Sequence, residues 1–195
     1  MSPRRTLAVS LLLVTLSPSI ARADGLFIPF VGVNFGGDSG KELSEAIDAN
    51  RVNWGVSFAY MSGGVLGLEG DLSYSPDFLG QTDLGGSSAM SLMGNLLLGV
   101  PFGGQSGFGI RPYALVGVGL IRTKVDAFDA VEIDSNQAGW NFGGGVMMFF
   151  GPVGMRADLR YFRTFEAADL LDLDVIERRG RLDFARASAG FIVRF

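Results

Sequence analysis

Six charged residues recur at alternate positions of largely apolar segments, and they are the candidates for chemistry in this chain. They are Glu69, Asp71, Arg156, Asp158, Arg160 and Arg186. If these segments are strands that enclose a narrow interior, the six side chains share the inward face. Three acids and three bases can be buried there only if they compensate one another as ion pairs. The pattern therefore predicts a lumen charge network that plugs the interior, and a gate or an ion path is the alternative interpretation.

Composition argues against catalysis. The chain contains no histidine, so Ser57, Ser73 and Ser188 lack the partner that usually activates a serine nucleophile. Glu69 and Asp71 could form a paired-carboxylate site, but two acids on one face beside arginines are more typical of a structural network. We expect a protein that is not an enzyme and that uses no cofactor.

Most of the 20 acidic residues lie in polar stretches between the apolar segments. The acids from Asp126 to Asp134, and those from Asp169 to Asp174, supply the hard oxygen ligands that divalent cations prefer. Neither run has the spacing of an EF-hand loop. We therefore interpret both as solvated loop surface without a metal site, and cation bridging to lipopolysaccharide is the alternative.

The segments that position the charged residues alternate with a period of two, which is typical of a β-strand with one apolar and one polar face. Leu68 and Leu72, for example, alternate with Glu69 and Asp71. A strand in a membrane barrel meets lipid and lumen on alternate residues, so we expect the apolar face to look out at lipid. The predicted strands lie at residues 30–35, 54–60, 66–74, 91–100, 112–121, 140–150, 155–161 and 185–195.

The register of the first and fifth predicted strands stays open. Residues 112–121 are apolar on both faces, and Gly117 and Gly119 fit a crowded lumen. The first strand is predicted to begin after Pro29, because proline lacks a backbone donor and a closed barrel has no free edge to accommodate it.

The connections alternate in length, as they do in outer-membrane barrels with short periplasmic turns and longer external loops. The predicted short turns are Ser62-Gly63-Gly64, residues 101–109 and residues 151–154. The predicted long polar loops are residues 37–51, 76–88, 122–137 and 166–182.

The N-terminal segment has the features of an export signal. Arg4 and Arg5 carry positive charge, an apolar run follows, and Ala21-Arg22-Ala23 has the small-x-small pattern of a cleavage site. We expect residues 1–23 to be a cleaved signal peptide and residues 24–195 to form one barrel domain. Removal of that segment takes away three arginines and no acid, so the net charge falls below the −4 of the whole chain. An acidic chain is not expected to bind nucleic acid.

Two other fold classes are compatible with parts of the pattern. The stretches 84–110 and 135–155 are uncharged and long enough for membrane helices, but glycine and proline interrupt both about halfway, which favours hairpins. A soluble lipocalin-like carrier also has eight strands, with apolar residues inside and charges outside. In such a carrier the apolar face of each strand would point into the barrel and the charged face would point to water.

The chain resembles the small outer-membrane β-barrel family that includes the OmpA transmembrane domain and OmpX-like proteins. The resemblance is carried by the alternating strands, the export signal, the segment from Pro112 to Gly119 and the closing Phe191-Ile192-Val193-Arg194-Phe195. It implies an all-β, eight-stranded antiparallel up-and-down barrel in the outer membrane. It further implies insertion by the barrel-assembly machinery, with Phe191, Val193 and Phe195 as the assembly signal.

From these patterns we expect a non-enzymatic outer-membrane protein with a structural or surface-interaction role. Its partners would be outer-membrane lipid and lipopolysaccharide. A narrow channel or transporter for small or apolar solutes is the alternative.

Overall fold

The computed structural model describes residues 23–36, 52–76, 87–103, 107–127, 131–165 and 183–195. These residues form eight long strands: β1 Ala23–Phe35, β2 Val52–Ser62, β3 Leu66–Pro76, β4 Ser87–Gly99, β5 Phe108–Ala127, β6 Val131–Phe150, β7 Val153–Thr164 and β8 Asp183–Arg194. A further two-residue strand, Phe102–Gly103, pairs with the start of β5. Among the described residues, no helix is long and apolar enough to cross a membrane.

The eight strands close into a barrel in which every neighbour is antiparallel. Each strand pairs with the next one along the chain, and β1 also pairs with β8. A path of paired residues that leaves β1 at Gly25 and passes once round the barrel returns to β1 at Phe35, a stagger of ten residues. Closure with such a stagger tilts the strands by about 35–45°, and eight strands leave an interior just wide enough for side chains. The predicted eight-stranded barrel is confirmed.

The apolar face of the strands points out of the barrel, as predicted. Phe58, Leu68 and Phe191 are 58%, 63% and 49% exposed, whereas Glu69 and Arg160 are 3% and 1% exposed. A lipocalin-like carrier requires the opposite arrangement, so that alternative is wrong.

The first strand begins earlier than predicted and runs through Pro29. On the β2 side Pro29 pairs with Val56. On the β8 side Phe27 pairs with Val193 and Phe30 with Gly190, and the residues between them have no assigned partner. The missing proline donor is tolerated because the ladder is interrupted at that point, which the sequence pattern alone does not reveal.

The polar stretch 122–137 is another correction, because most of it is strand and not loop. Paired residues continue from Arg122 and Asn136 to Ala127 and Val131, so only residues 128–130 lie between β5 and β6. The extended ladder satisfies backbone groups that a loop would leave to water, and the alternating β-branched residues of this stretch suit a strand.

Two of the three predicted short turns agree with the structure, whereas residues 101–109 contain the strand Phe102–Gly103 and, at 104–106, lie outside the described residues. Gly63 and Gly64 have φ of 58° and 73° in the turn between β2 and β3, and Gly151 has φ of 69° between β6 and β7. These positive values favour glycine. The predicted loops 37–51 and 166–182 and most of 76–88 lie outside the described residues, as does the predicted signal peptide except for Ala23.

Candidate functional site

The six predicted lumen residues come from three strands that face one another across the barrel. Glu69 and Asp71 lie on β3, and Arg156, Asp158 and Arg160 lie on β7, which is opposite β3 in the closed order of eight strands. Arg186 lies on the neighbouring β8. Alternation along each strand turns these side chains inward, and all six residues are at least nine-tenths buried.

Glu69 joins the two sides of the lumen. Arg156 Nη1 lies 2.5 Å from its Oε2, and Arg160 Nη1 lies 2.9 Å from its Oε1. Asn95 on β4 donates a further hydrogen bond of 2.9 Å to Oε1. One carboxylate thus compensates two guanidinium groups from the opposite wall, as a buried charge requires.

Asp71 lies two residues after Glu69 on the same inward face and contacts Arg186 and also Arg160. Arg186 Nη2 lies 2.9 Å and 3.1 Å from its two carboxylate oxygens, and Arg160 Nη1 lies 3.3 Å from Oδ2. Ser57 on β2 donates to Oδ2 at 2.8 Å.

Asp158 is the third acid and accepts from both arginines of its own strand. Arg156 Nε is 2.6 Å from Oδ2, and Arg160 Nε is 3.2 Å from Oδ1. The hydroxyls of Tyr113 and Ser188 donate to the same carboxylate at 2.8 Å and 2.7 Å. Because all six charged groups contact a partner of opposite sign, we call them together the lumen charge network.

Aromatic rings cover the guanidinium faces that ion pairs leave open. The guanidinium carbon of Arg186 lies 4.8 Å from the Phe30 ring centroid and 4.9 Å from the Phe162 centroid. Arg156 lies 5.1 Å from the Tyr113 centroid. A cation over an aromatic face is attracted by the ring quadrupole, most strongly where water is excluded.

Apolar side chains fill the lumen on both sides of the lumen charge network. Toward the short turns the cluster comprises Leu26, Ile28, Ala59, Met61, Leu97, Tyr113, Leu115, Met147, Phe149 and Ile192. Toward the long connections it comprises Ala89, Met93, Ile121, Phe162 and Phe184. The charged layer therefore lies between two apolar layers.

Glycines of β6 make room for the network. Gly143 pairs with Arg160 and Gly145 with Asp158. A Cβ at Gly145 would lie 2.6 Å from the Asp158 Cβ and would also meet the Ala157 carbonyl oxygen, and one at Gly143 would lie 2.8 Å from the Arg160 Cα. The wall has no volume for a side chain at these two positions.

Several lumen residues were not predicted from the sequence. Tyr113 belongs to β5, whose register the sequence left open, and Asn95 and Asn141 were assigned only to inward faces. Arg111 was also missed, and it pairs with Asp24 at 3.0 Å at the end of the barrel that carries the short turns. Arg111, Tyr113 and Gly117 are separated by even numbers of residues and so share one face, which is the signal that could have fixed the register of β5.

Comparison with known proteins identifies the family. The family model for the outer membrane protein beta-barrel domain matches residues 6–195. A comparison with curated protein sequences gives no match.

Three solved structures have similar folds at low sequence identity. Neisserial surface protein A is 16% identical with a TM-score of 0.61, over 89% of this chain and 99% of that one. The N-terminal β-barrel domain of Pseudomonas aeruginosa OprF is 16% identical with a TM-score of 0.51, over 90% and 98%. Ail, the attachment invasion locus protein of Yersinia pestis, in complex with the heparin analogue sucrose octasulfate, is 14% identical with a TM-score of 0.53, over 90% and 100%. With the family match over nearly the whole sequence, the chain belongs to the outer membrane protein beta-barrel domain family and is an outer-membrane protein.

Proposed function

We propose that this protein is a non-enzymatic anchor whose barrel holds surface-interacting segments at the outer membrane, and that its lumen is closed to solutes. The observation that carries this proposal is the filled interior. Oppositely charged side chains from β3, β7 and β8 meet across the lumen, and apolar clusters lie on either side of them. An ion that passed through this layer would have to displace ion pairs that cross the lumen.

Planar-bilayer recording tests the closed lumen. We expect the purified barrel to give no sustained conductance steps in a bilayer where a porin with 16 to 18 strands, which has an aqueous channel, gives them readily. Folding of the inserted protein is checked on the same sample by its heat-modifiable migration in a gel. Reproducible steps from the folded barrel would instead support the narrow channel or transporter for small or apolar solutes.

The serines of the lumen support the absence of catalysis. Ser57 and Ser188 donate to the carboxylates of Asp71 and Asp158, and Ser73 bonds to Ser91 at 2.7 Å. Arginines already hold both carboxylates, so these hydroxyls have neither a free base nor the access that a nucleophile requires.

The charge of the connecting segments suggests the chemistry of a surface partner. The Ail structure contains a sulfated, strongly anionic ligand. In this chain, acids outnumber bases in residues 37–51, 76–88 and 166–182. Electrostatic complementarity therefore favours a cationic partner, or lipopolysaccharide bridged by divalent cations, over a sulfated polyanion.

We also propose that the last strand is read by the barrel-assembly machinery through Phe191, Val193 and Phe195. These side chains point outward and are 49%, 39% and 78% exposed. Phe195 and Gly25 exchange two backbone hydrogen bonds, of 3.1 Å and 2.9 Å, where the ends of the barrel meet. An unpaired final strand can offer the same groups to a partner edge before closure.

Substitution Phe195→Ala should slow assembly more than it weakens the barrel. We expect several-fold slower insertion into vesicles that contain the assembly machinery, with little change in the urea midpoint of the folded protein, because the ring is largely exposed. Phe102→Ala, at another exposed phenylalanine near a short turn (61% exposed against 78% for Phe195), is the matched control. Equal insertion rates for the two variants would contradict an assembly role for Phe195.

A further inference from the structure

Two buried asparagines face the lumen on the wall that β4, β5 and β6 form. Asn95 on β4 and Asn141 on β6 are paired with Gly117 on β5 from its two sides. The asparagines are 2% and 0% exposed. They therefore flank an inward position that has no side chain of its own, and we call these three residues the amide pocket.

The two amide oxygens converge over Gly117. A Cβ added at Gly117 would lie 2.7 Å from Asn141 Oδ1, and it would lie even closer to Asn95 Oδ1 and to the Gly94 carbonyl oxygen. Both amide oxygens are thus within 2.7 Å of one point. Because a water molecule forms hydrogen bonds of about 2.7–2.8 Å, one water on the lumen side of Gly117 can reach both oxygens.

Among the described residues, neither of these oxygens has a hydrogen-bond partner in the protein. The nitrogen of Asn95 donates to Glu69 at 2.9 Å, so the orientation of this amide is fixed and its oxygen faces Gly117. Asn141 Nδ2 has no protein partner among the described residues either. A buried polar atom that nothing satisfies is costly, and folded proteins pair such atoms with protein groups or with ordered water.

Apolar side chains close the amide pocket along the barrel axis. Met93 and Leu97 lie two residues before and two residues after Asn95 on the same inward face, and Leu115 lies two residues before Gly117. These three side chains are at most 5% exposed. A small molecule bound between them is shielded from solvent and therefore exchanges slowly.

The chemistry of the amide pocket favours a neutral guest. The pocket presents unpartnered acceptors on both asparagines together with the unpartnered donor Asn141 Nδ2. A cation would use only the acceptors and an anion only the donor, whereas water can use both kinds of group. The adjacent lumen charge network already balances three acids against three bases, so an ion would add an uncompensated buried charge.

We propose that the amide pocket binds one long-lived water molecule, which donates one hydrogen bond to Asn95 Oδ1 and one to Asn141 Oδ1. The water connects the β6 wall to the lumen charge network, because Asn95 carries the connection on to Glu69. Asn95 is then a positioning residue: the water holds its oxygen while its nitrogen holds the carboxylate. A buried water with several polar partners is part of the structure and is costly to remove.

Water-selective NOE and ROE spectra of the ¹⁵N-labelled protein, folded in detergent micelles, test the site directly. We expect cross peaks from water to the side-chain amide protons of Asn95 and Asn141, with opposite signs in the two spectra, which is the mark of a long-lived bound water. Gly119, the next inward glycine of β5, is the internal control. A Cβ at Gly119 would lie 2.7 Å from both Cα and Sδ of Met93, so no polar side chain faces it there, and its backbone amide should show no such cross peak.

Asn141→Leu removes one of the two acceptors and puts an apolar group of similar size in its place. We expect the water cross peaks of Asn95 to disappear and the urea midpoint to fall. Asn53→Leu replaces another buried asparagine of the lumen, which is 1% exposed on β2, and should leave the cross peaks of Asn95 and Asn141 unchanged. Should Asn141→Leu fail to show heat-modifiable migration, the spectra of the unsubstituted protein decide alone.

Four results would overturn the proposal. The first is the absence of water cross peaks at both asparagines, as a direct hydrogen bond between the two amides would give. The second is a cross peak of equal strength at Gly119, which would mean general hydration of the lumen. The third is a higher urea midpoint for Asn141→Leu, which would mean that the amide is dry. The fourth is a shift of the Asn95 side-chain signals when choline chloride replaces sodium and potassium chloride, which would assign the pocket to a cation. These readouts are spectroscopic, so the conductance test of the closed lumen is independent of them.

Discussion

Glu69→Ala should lower the free energy of unfolding of the barrel by about 3–5 kcal/mol, the cost of breaking a buried ion pair from one side. The substitution removes the carboxylate that both Arg156 and Arg160 contact from the opposite strand. Asp158 remains for each arginine, but the network then holds three bases and two acids in a buried layer. Urea titration of the folded protein in detergent micelles, followed by tryptophan fluorescence, measures the loss. Leu68→Ala, the adjacent substitution on the lipid face, is the matched control and should cost much less.

A double-mutant cycle separates lost charge balance from a simple cavity. Arg156→Met should be strongly destabilising on its own, because Glu69 and Asp158 then lose a partner. In the Glu69→Ala background the same change restores two acids against two bases and should cost far less, or even stabilise. Additive losses in the cycle would mean that the two residues do not act as a pair. An unchanged urea midpoint for Glu69→Ala would mean that the lumen charge network does not contribute to stability.

Gly145→Val should damage the barrel severely, with a loss of at least about 3 kcal/mol or a failure to fold. Overpacking alone costs about 1–3 kcal/mol. Here the new Cβ would also meet the Ala157 carbonyl oxygen and the backbone of Asp158. Displacement of Asp158 would break its contacts with Arg156 and Arg160, which adds the cost of uncompensated buried charge.

Gly70→Val is the matched control, because it places the same side chain on the outward face of a paired glycine. A Cβ at Gly70 meets nothing within 4 Å, and valine favours a strand more than glycine does. We expect Gly70→Val to retain or slightly raise the urea midpoint, while Gly145→Val gives little heat-modifiable protein. Similar behaviour of the two variants would show that the inward glycines do not make room for the network.

Alternation along the chain predicted which residues face the lumen, because a strand places successive side chains on opposite sides whatever surrounds it. On β4 the inward positions also include the apolar Met93 and Leu97, which fill the apolar layers of the lumen. In β5, apolar residues occupy both faces, so hydrophobic periodicity alone did not fix the register, and Arg111 and Tyr113 were missed. The failure has a physical cause: a lumen that contains apolar layers makes the inner face of some strands as hydrophobic as the outer face.

Strand ends were predicted less well than strand faces. The first strand was predicted to begin after Pro29, although Pro29 lies inside β1 where the ladder to β8 is interrupted. Residues 122–137 were treated as a loop because they are polar, although backbone pairing between β5 and β6 continues to Ala127. Both errors concern hydrogen bonds between segments that are distant in the chain. The composition of these segments does not specify their pairing register.

The sequence by itself determined that the chain alternates apolar and polar residues and has no histidine or cysteine. It also determined that three acids and three bases occupy inward positions. These facts are local, and they were enough to specify an outer-membrane barrel of eight strands. Only the tertiary structure decided which charges meet. The ten-residue stagger brings Glu69 opposite Arg156 and Arg160, and Asp71 to Arg186. It also places Gly70 beside Gly94. Such pairings depend on closure of the whole barrel, because residues far apart in the chain become neighbours only when every strand has its register.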